Sequence, residues 1–274
     1  TAVIEDWLID HTGTYAVTLL NVTAGPHTDG SDPEGGAITS AQVKTGTYTI
    51  PDFDAYTFTG TTGDRVVMGN VATGAGSHDT VVYLYPPGGG APVVASGSDR
   101  TEVQLGATGT YTLVTEDSGG NSAGAYTVSL LNVTSGPLSD AADPDGGPLA
   151  SAESRNGQTN SVCDFDAFTF PGTAGDRVLL GALSTGGTSH NTNIVLYPPG
   201  GGAPVYNSGT GDRMDQQLAQ TGTYTAVIED WLIDHTGTYA VSLMNVTAGP
   251  WRSVSDPDGD FIGRALPKMS QALP

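Results

Sequence analysis

The chain has 274 residues, and its 37% hydrophobic content is enough for packed cores and too high for a disordered chain. Twenty-nine acidic residues against nine basic ones give a formal net charge of −20, a surface that repels nucleic acid and anionic lipid and attracts divalent cations. Cys163 is the single cysteine, so no intrachain disulfide forms, and no apolar run reaches bilayer-spanning length or resembles a leader.

The chain opens on TAVIEDWLIDHTGTYAVTLLNVTAGP, Thr1–Pro26, which returns as Thr225–Pro250 with changes only at Thr18/Ser242 and Leu20/Met244. A weaker copy spans Thr112–Pro137, so the chain is a tandem array. Other blocks recur at an offset of 112: DFDAYTF (Asp52–Phe58) with DFDAFTF (Asp164–Phe170), GDRVVMG (Gly63–Gly69) with GDRVLLG (Gly175–Gly181), and LYPPGGGAPV at Leu84–Val93 and Leu196–Val205. The expected organisation is an orphan closing hairpin at 1–26, full repeats at 27–137 and 138–250, and at 251–274 the opening of a further repeat with a proline-containing tail.

With 39 glycines and 17 prolines, the turns are frequent and the strands short. Ala2–Ile4 and Tyr15–Val22 read as the two strands of the opening hairpin, turning around Asp10–Gly13. In the first full repeat Asp54, Tyr56 and Phe58 alternate with small residues, which puts both aromatics on one face. Arg65–Val71 is a β-branched run. Thr80–Tyr85, TVVYLY, is apolar on both faces, as a central strand is, and Pro86-Pro87-Gly88 stops it. Val93–Ala95, Glu102–Leu105, Thr110–Thr115 and Ala125–Val133 follow. Seven or eight such strands in about 110 residues predict an all-β protein of tandem antiparallel β-sandwich, jelly-roll-like domains. No segment reads as a helix.

The order D-x-D-x-[YF]-x-F, G-D-R-V, L-Y-P-P-G, T-G-T-Y-T and G-T-Y-x-V-x-L resembles the bacterial pre-peptidase C-terminal (PPC) domain over Asp32–Val133 and Asp143–Val246. The resemblance implies a β-sandwich related to collagen-binding modules, tandem in secreted proteins and accessory to an enzyme or part of a surface protein. No catalytic domain accompanies the repeats here.

Each repeat opens on an Asp-Pro-acid-Gly turn: Asp32 and Glu34, Asp143 and Asp145, and, in the third copy, Asp256 and Asp258. About 20 residues on come the pairs Asp52/Asp54 and Asp164/Asp166. Calcium takes six to eight oxygens from carboxylates and carbonyls on glycine-rich loops, which such turns facing a D-x-D edge supply. The resemblance adds to this, since some related modules bind calcium near a domain junction. Ordinary turn capping accounts for the same residues without an ion.

Asn21, Asn132 and Asn245 each open an Asn-Val-Thr sequon at the same place in the repeat, as glycan acceptors or as a strand end preserved by duplication. The five histidines show no ligand spacing and read as exposed loop residues. Tyr83, Tyr85, Tyr197 and Tyr206 form either an aromatic binding strip or part of the packing, and Tyr15, Tyr111, Tyr126, Tyr224 and Tyr239 read as structural, in the manner of tyrosine corners. No nucleophile–base set of a hydrolase appears, so no catalysis is expected.

Alone, the opening hairpin exposes Val3, Ile4, Trp7, Tyr15, Val17 and Leu19, and a two-stranded hairpin is marginal in water. Three readings are open: an excerpt of a longer array, a hairpin packed on its own first repeat, or one donated to another copy, building a head-to-tail homopolymer. The leading expectation is a secreted or cell-surface structural array or filament. The alternative is a module that delivers a secreted peptidase or adhesin to an extracellular protein or polysaccharide.

Overall fold

In a computed structural model that describes residues 1–6, 8–74 and 78–252, every regular element is a strand. In the first half, β1 (Gly36–Ala37), β2 (Gln42–Tyr48), β3 (Asp54–Gly60), β4 (Arg65–Thr73), β5 (Thr80–Tyr85), β6 (Val94–Ser96), β7 (Arg100–Gln104), β8 (Gly109–Asp117) and β9 (Gly124–Asn132) form two sheets. Their orders are β1-β3-β8-β5-β6 and β2-β9-β4-β7. The second half repeats this with β10 (Gly147–Pro148), β11 (Glu153–Thr159), β12 (Asp166–Gly172), β13 (Arg177–Gly186), β14 (Thr192–Tyr197), β15 (Tyr206–Asn207), β16 (Arg213–Gln217), β17 (Gly222–Asp230) and β18 (Gly237–Asn245), in the orders β10-β12-β17-β14-β15 and β11-β18-β13-β16. All ladders are antiparallel except the short β1–β3 and β10–β12 pairings.

Period-2 alternation explains how each sandwich closes. From β9, Tyr126, Val128 and Leu130 point into the first core, where they meet Tyr56, Val66, Met68 and Leu113. From β18, Tyr239, Val241 and Leu243 do the same against Phe168, Val178, Leu180 and Ile228. Tyr111 and Tyr224 tie their strand ends as expected, each hydroxyl donating to the carbonyl four residues upstream (Ala107 at 2.8 Å, Gln220 at 3.0 Å) and accepting the same residue's N–H.

A third core lies between the sandwiches. The residues of β4 and β9 that point away from the first core (Val67, Val71, Leu131, and Val133 just beyond) pack on the outward residues of β12, β14 and β17 (Ala167, Val195, Tyr197, Val227). The four sheets are therefore stacked as consecutive layers, and the two inner sheets bury both faces.

The opening segment differs from expectation. Residues 1–26 form no strand, because no neighbouring edge completes a ladder with them. Val3, Ile4, Tyr15, Val17 and Leu19 stand exposed, so Tyr15 is not a packed structural tyrosine; Trp7 lies outside the described residues. β2 was not legible either, since QVKTGTY has little apolar alternation.

Candidate functional site

The Asp-Pro-acid-Gly turns and the D-x-D pairs do meet. Gly35 adopts φ +110°, and a Cβ there would lie 2.5 Å from the Ala55 carbonyl oxygen; Gly146 repeats this at φ +116° and 2.6 Å from that of Ala167. Only glycine allows so close a backbone approach, and it sets the acidic turn against the strand that carries the aspartates. Carboxylate oxygens of Asp32, Asp52 and Asp54 fall within 4.8 Å of one another, and so do those of Asp143, Asp164 and Asp166. Asp256 and Asp258 lie outside the described residues.

Some of these carboxylates cap backbone: Asp52 accepts the Thr49 N–H at 3.0 Å, Asp164 that of Asn160 at 2.6 Å, and Asp145 that of Gln158 at 2.9 Å. The innermost ones are different. Asp54 is fully buried beside the Tyr126 hydroxyl, with neither oxygen in a well-formed hydrogen bond, and Asp166, equally buried, uses one oxygen to accept the Tyr239 hydroxyl at 2.7 Å while the other has no partner. Burial, reinforced by the charges of Asp52 and Asp32, pushes the Asp54 carboxyl up to about 7, and Asp32 is pushed to about 6 by burial and by Asp52 and Glu34. Asp164 is raised by burial and by Asp143, and Asp166 by burial and by Asp164 and Asp143. Leaving a buried oxygen unpaired costs about 1–3 kcal/mol or more, so the clusters fit a cation.

The sequon asparagines shape strand ends. Asn132 Oδ1 accepts the Thr134 and Ser135 N–H groups, both at 3.0 Å, and its Nδ2 donates to Asp64 Oδ2 at 2.9 Å. Asn245 makes the equivalent bonds with Thr247, Ala248 and Asp176. Asn132 and Asn245 are buried, with the nitrogen that would carry a glycan already bonded. Asn21 makes the same turn on the surface.

His78 and His190 are buried, correcting the expectation of exposed loop histidines: His78 Nε2 faces the Ala125 carbonyl oxygen at 2.9 Å and His190 Nδ1 the Ser184 hydroxyl at 3.0 Å. His235 lies beside Asp230 and Asp234, and His11 beside Asp6 and Asp10, a spacing the sequence reading passed over. There Asp230 and Asp6 accept backbone N–H groups of their own turn, which is capping.

The feature that sequence reasoning missed is the junction between the sandwiches. Arg100 donates to Glu229 at 2.9 Å and to the Tyr197 hydroxyl at 2.8 Å, and its guanidinium lies 5.9 Å from the centre of the Phe165 ring. Glu102 accepts from Tyr197 and is paired with Arg65 at 3.2 Å, while Arg65 Nε donates to the Gly201 carbonyl at 3.0 Å. Glu229 is fully buried and also accepts Asn193 Nδ2 at 2.8 Å. Tyr197 is thus a junction residue. Tyr206 packs on the second core and donates to the Arg213 carbonyl, whereas Tyr83 and Tyr85 sit half-buried on the outer face of the first sheet.

The opening segment lies on that outer face as the end of β9 lies on the second sandwich. Thr112 Oγ1 donates to the Val22 carbonyl at 2.7 Å, matching Thr225 Oγ1 to Val133 at 2.9 Å. A Cβ on Gly89 would meet Thr23 Oγ1 at 2.7 Å, as one on Gly201 would meet Thr134 Oγ1 at 2.7 Å. Residues 18–22 thus stand in for the last strand of a preceding repeat.

No protein-family model matches the chain, and no curated protein sequence matches it. Among solved structures the chain is similar to the pre-peptidase C-terminal domain of a Bacillus anthracis collagenase, at 15% identity over 36% of this chain and 96% of that one, with a TM-score of 0.30. It is similar to a periplasmic inhibitor of g-type lysozyme from Aeromonas hydrophila, at 16% identity over 36% of this chain and 96% of that one, TM-score 0.29. A tandem pair of CBM22 domains from Paenibacillus barcinonensis Xyn10C aligns over 77% of this chain and 93% of its own, at 10% identity and a TM-score of 0.23.

Proposed function

We propose that the chain is a non-enzymatic, secreted structural protein whose β-sandwich repeats stack end to end into a stiff extracellular array or filament, with calcium held at the acidic clusters. The observation that carries this reading is the junction. Consecutive repeats share an apolar core and a buried, hydrogen-bonded arginine–glutamate pair, where independent binding modules on a string would be joined by an exposed linker.

Calcium would be held by Asp32, Asp52 and Asp54, with Glu34 adjacent, and by Asp143, Asp164 and Asp166, with Asp145 adjacent. The ion would supply the partner that the buried Asp54 and Asp166 oxygens lack. Both clusters adjoin a contact between layers: Asp164 precedes Phe165 of the junction core, and Asp52 follows Pro51, whose carbonyl accepts the Thr18 hydroxyl at 2.6 Å. The chain's own residues therefore do the structural work, and the ion neutralises acidic charge where layers meet.

The test is electron microscopy of the purified chain over a concentration series, in calcium and in chelator. End-to-end particles that lengthen with concentration and shorten in chelator support the reading. Particles of one size in both buffers at every concentration, or pairs of sandwiches at variable angles, would overturn it.

A further inference from the structure

The two outermost faces of the stack carry the chemistry of the buried junction a second time. Its donor half is the β2-β9-β4-β7 sheet, with Val67, Val71, Leu131 and Val133 and the Arg65–Glu102–Arg100 trio. At the equivalent places the outer face of β11-β18-β13-β16 presents Leu179, Leu183, Met244 and Val246. Its ionic trio recurs too: Arg177 pairs with Asp215 at 2.7 Å, and Arg213 stands 3.8 Å from the same carboxylate. Leu183 and Val246 are 54% and 40% exposed, against 7% and 4% for their counterparts Val71 and Val133. A groove of about 610 Å³ along β13 and β18 is lined by Leu179, Leu183, Arg213 and Met244.

The acceptor half of the junction is the outer face of β10-β12-β17-β14-β15, with Tyr197, Val227 and Glu229. At the equivalent places the face of β1-β3-β8-β5-β6 carries Tyr85 and Glu116, half-buried, and Val114, only 4% exposed beside residues 18–22, so an arriving copy reaches Val114 only where that segment gives way. Burial raises the Glu116 carboxyl, which faces Tyr83 where its counterpart Glu229 has Arg100. Residues 18–22 cover only part of this face, turning Leu20 and Val22 toward it while Leu19 stays exposed.

We propose that the outer face of β11-β18-β13-β16 docks on the outer face of β1-β3-β8-β5-β6 in a second copy of this chain, repeating the internal junction. Arg213 of one copy then meets Glu116 and Tyr85 of the next, and Leu179, Leu183 and Met244 cover Val114. The contact is heterologous and leaves both ends free, so it propagates. The opening segment is the competitor: its residues match the arriving β18 at all but Thr18/Ser242 and Leu20/Met244, so one strand gives way to its near copy. This rests on the array reading and specifies its contact as stacked sheet faces in place of a donated hairpin.

Four variants test it. Arg213→Glu and Glu116→Arg should each abolish assembly alone, and an equimolar mixture should restore it, because reversed and native pairs alternate. Deleting residues 1–22 should lower the concentration of half-assembly about tenfold by removing a tethered competitor. Pro51→Cys with Gly181→Cys should give a ladder of disulfide-linked oligomers on oxidation, where either single variant gives dimers at most. The geometry comes from their internal counterparts: a Cβ on Gly69 would lie 2.8 Å from Cys163 Cβ, so the facing strands need to part by only about 1 Å to reach the roughly 3.8 Å that a disulfide spans. Filaments that tolerate both charge reversals overturn this contact and leave the array reading standing. Assembly lost on deleting residues 1–22 overturns it in favour of a donated segment. No ladder and no assembly at about 1 mM, where a contact is worth only about 4 kcal/mol, overturn both readings.

Discussion

Replacing Arg100 with methionine tests whether the junction is a load-carrying core. The substitution keeps an apolar side chain in the junction and removes the guanidinium that lies over Phe165, leaving Glu229 fully buried with Asn193 as its remaining side-chain partner. Breaking a buried pair from one side costs about 3–5 kcal/mol. At about 2–4 °C per kcal/mol for a unit of this size, the melting temperature should fall by roughly 6–20 °C. Arg213→Met, measured on dilute, unassembled protein, is the internal control: at the equivalent place in the second repeat, with a side chain 63% exposed, it should cost no more than about 0.5 kcal/mol there. The double variant Arg100→Met/Glu229→Gln should recover most of the loss, because no unpaired charge remains and the Asn193 bond survives. Calorimetry and denaturant titration of the four proteins decide it. Equal effects of Arg100→Met and Arg213→Met would refute a packed junction.

The acidic clusters predict an unusual pH response. A carboxyl whose folded pKa lies above its unfolded value of about 4 is held protonated by folding, so its stabilisation is complete at low pH and is lost as pH rises through the folded value. With Asp54 at about 7 and Asp32 at about 6, chelated protein should melt higher at pH 5 than at pH 8, with the loss centred between pH 4 and 7. Calcium should abolish that loss, and calorimetric binding heats at pH 7 should vary with buffer ionisation enthalpy because protons are released; buffer-independent heats would sink the site. Cys163, buried in the junction core with its thiol pKa raised by burial, should react with a thiol reagent only when the junction opens, so its rate should rise severalfold in Arg100→Met. Asn132→Ala should cost about 1–3 kcal/mol in denaturant unfolding by freeing two N–H groups and removing one of the donors to Asp64, whereas Asn21→Ala should cost less.

The sheet content was legible because turn residues punctuate the strands and the DFDAYTF and GTYTL blocks alternate with period 2. β1 was missed as a two-residue strand, and β2 because QVKTGTY buries little apolar surface. The acidic pairs were found from type and spacing, but not the depth of Asp54 and Asp166, because burial follows from which way a strand faces and not from the aspartates themselves. The junction had a signal that was read too locally. TNIVLY (Thr192–Tyr197), the counterpart of TVVYLY, and the Leu130-Leu131 doublet are apolar on both faces, which fits a central strand and also a sheet with a second sandwich against its back. The five histidines were judged by ligand spacing alone, and spacing carries no information on burial.

Stacked layers impose different demands on inner and end sheets. An inner sheet buries both faces, whereas an end sheet facing water should be polar outside. Both ends here break that rule at positions that form the internal junction: Leu183 and Val246 at one end, Tyr85 at the other. Duplication alone would leave such residues in place, but an uncovered apolar face is an aggregation liability unless something covers it or charge keeps copies apart. A net charge of −20 provides that separation, and the same charge opposes any ordered stack. The buried pair and the proposed ion act on this conflict from two sides. An arginine on the donor face selects the acceptor face by its glutamate, and calcium at the aspartates beside each contact lowers the repulsion that the selected contact must overcome.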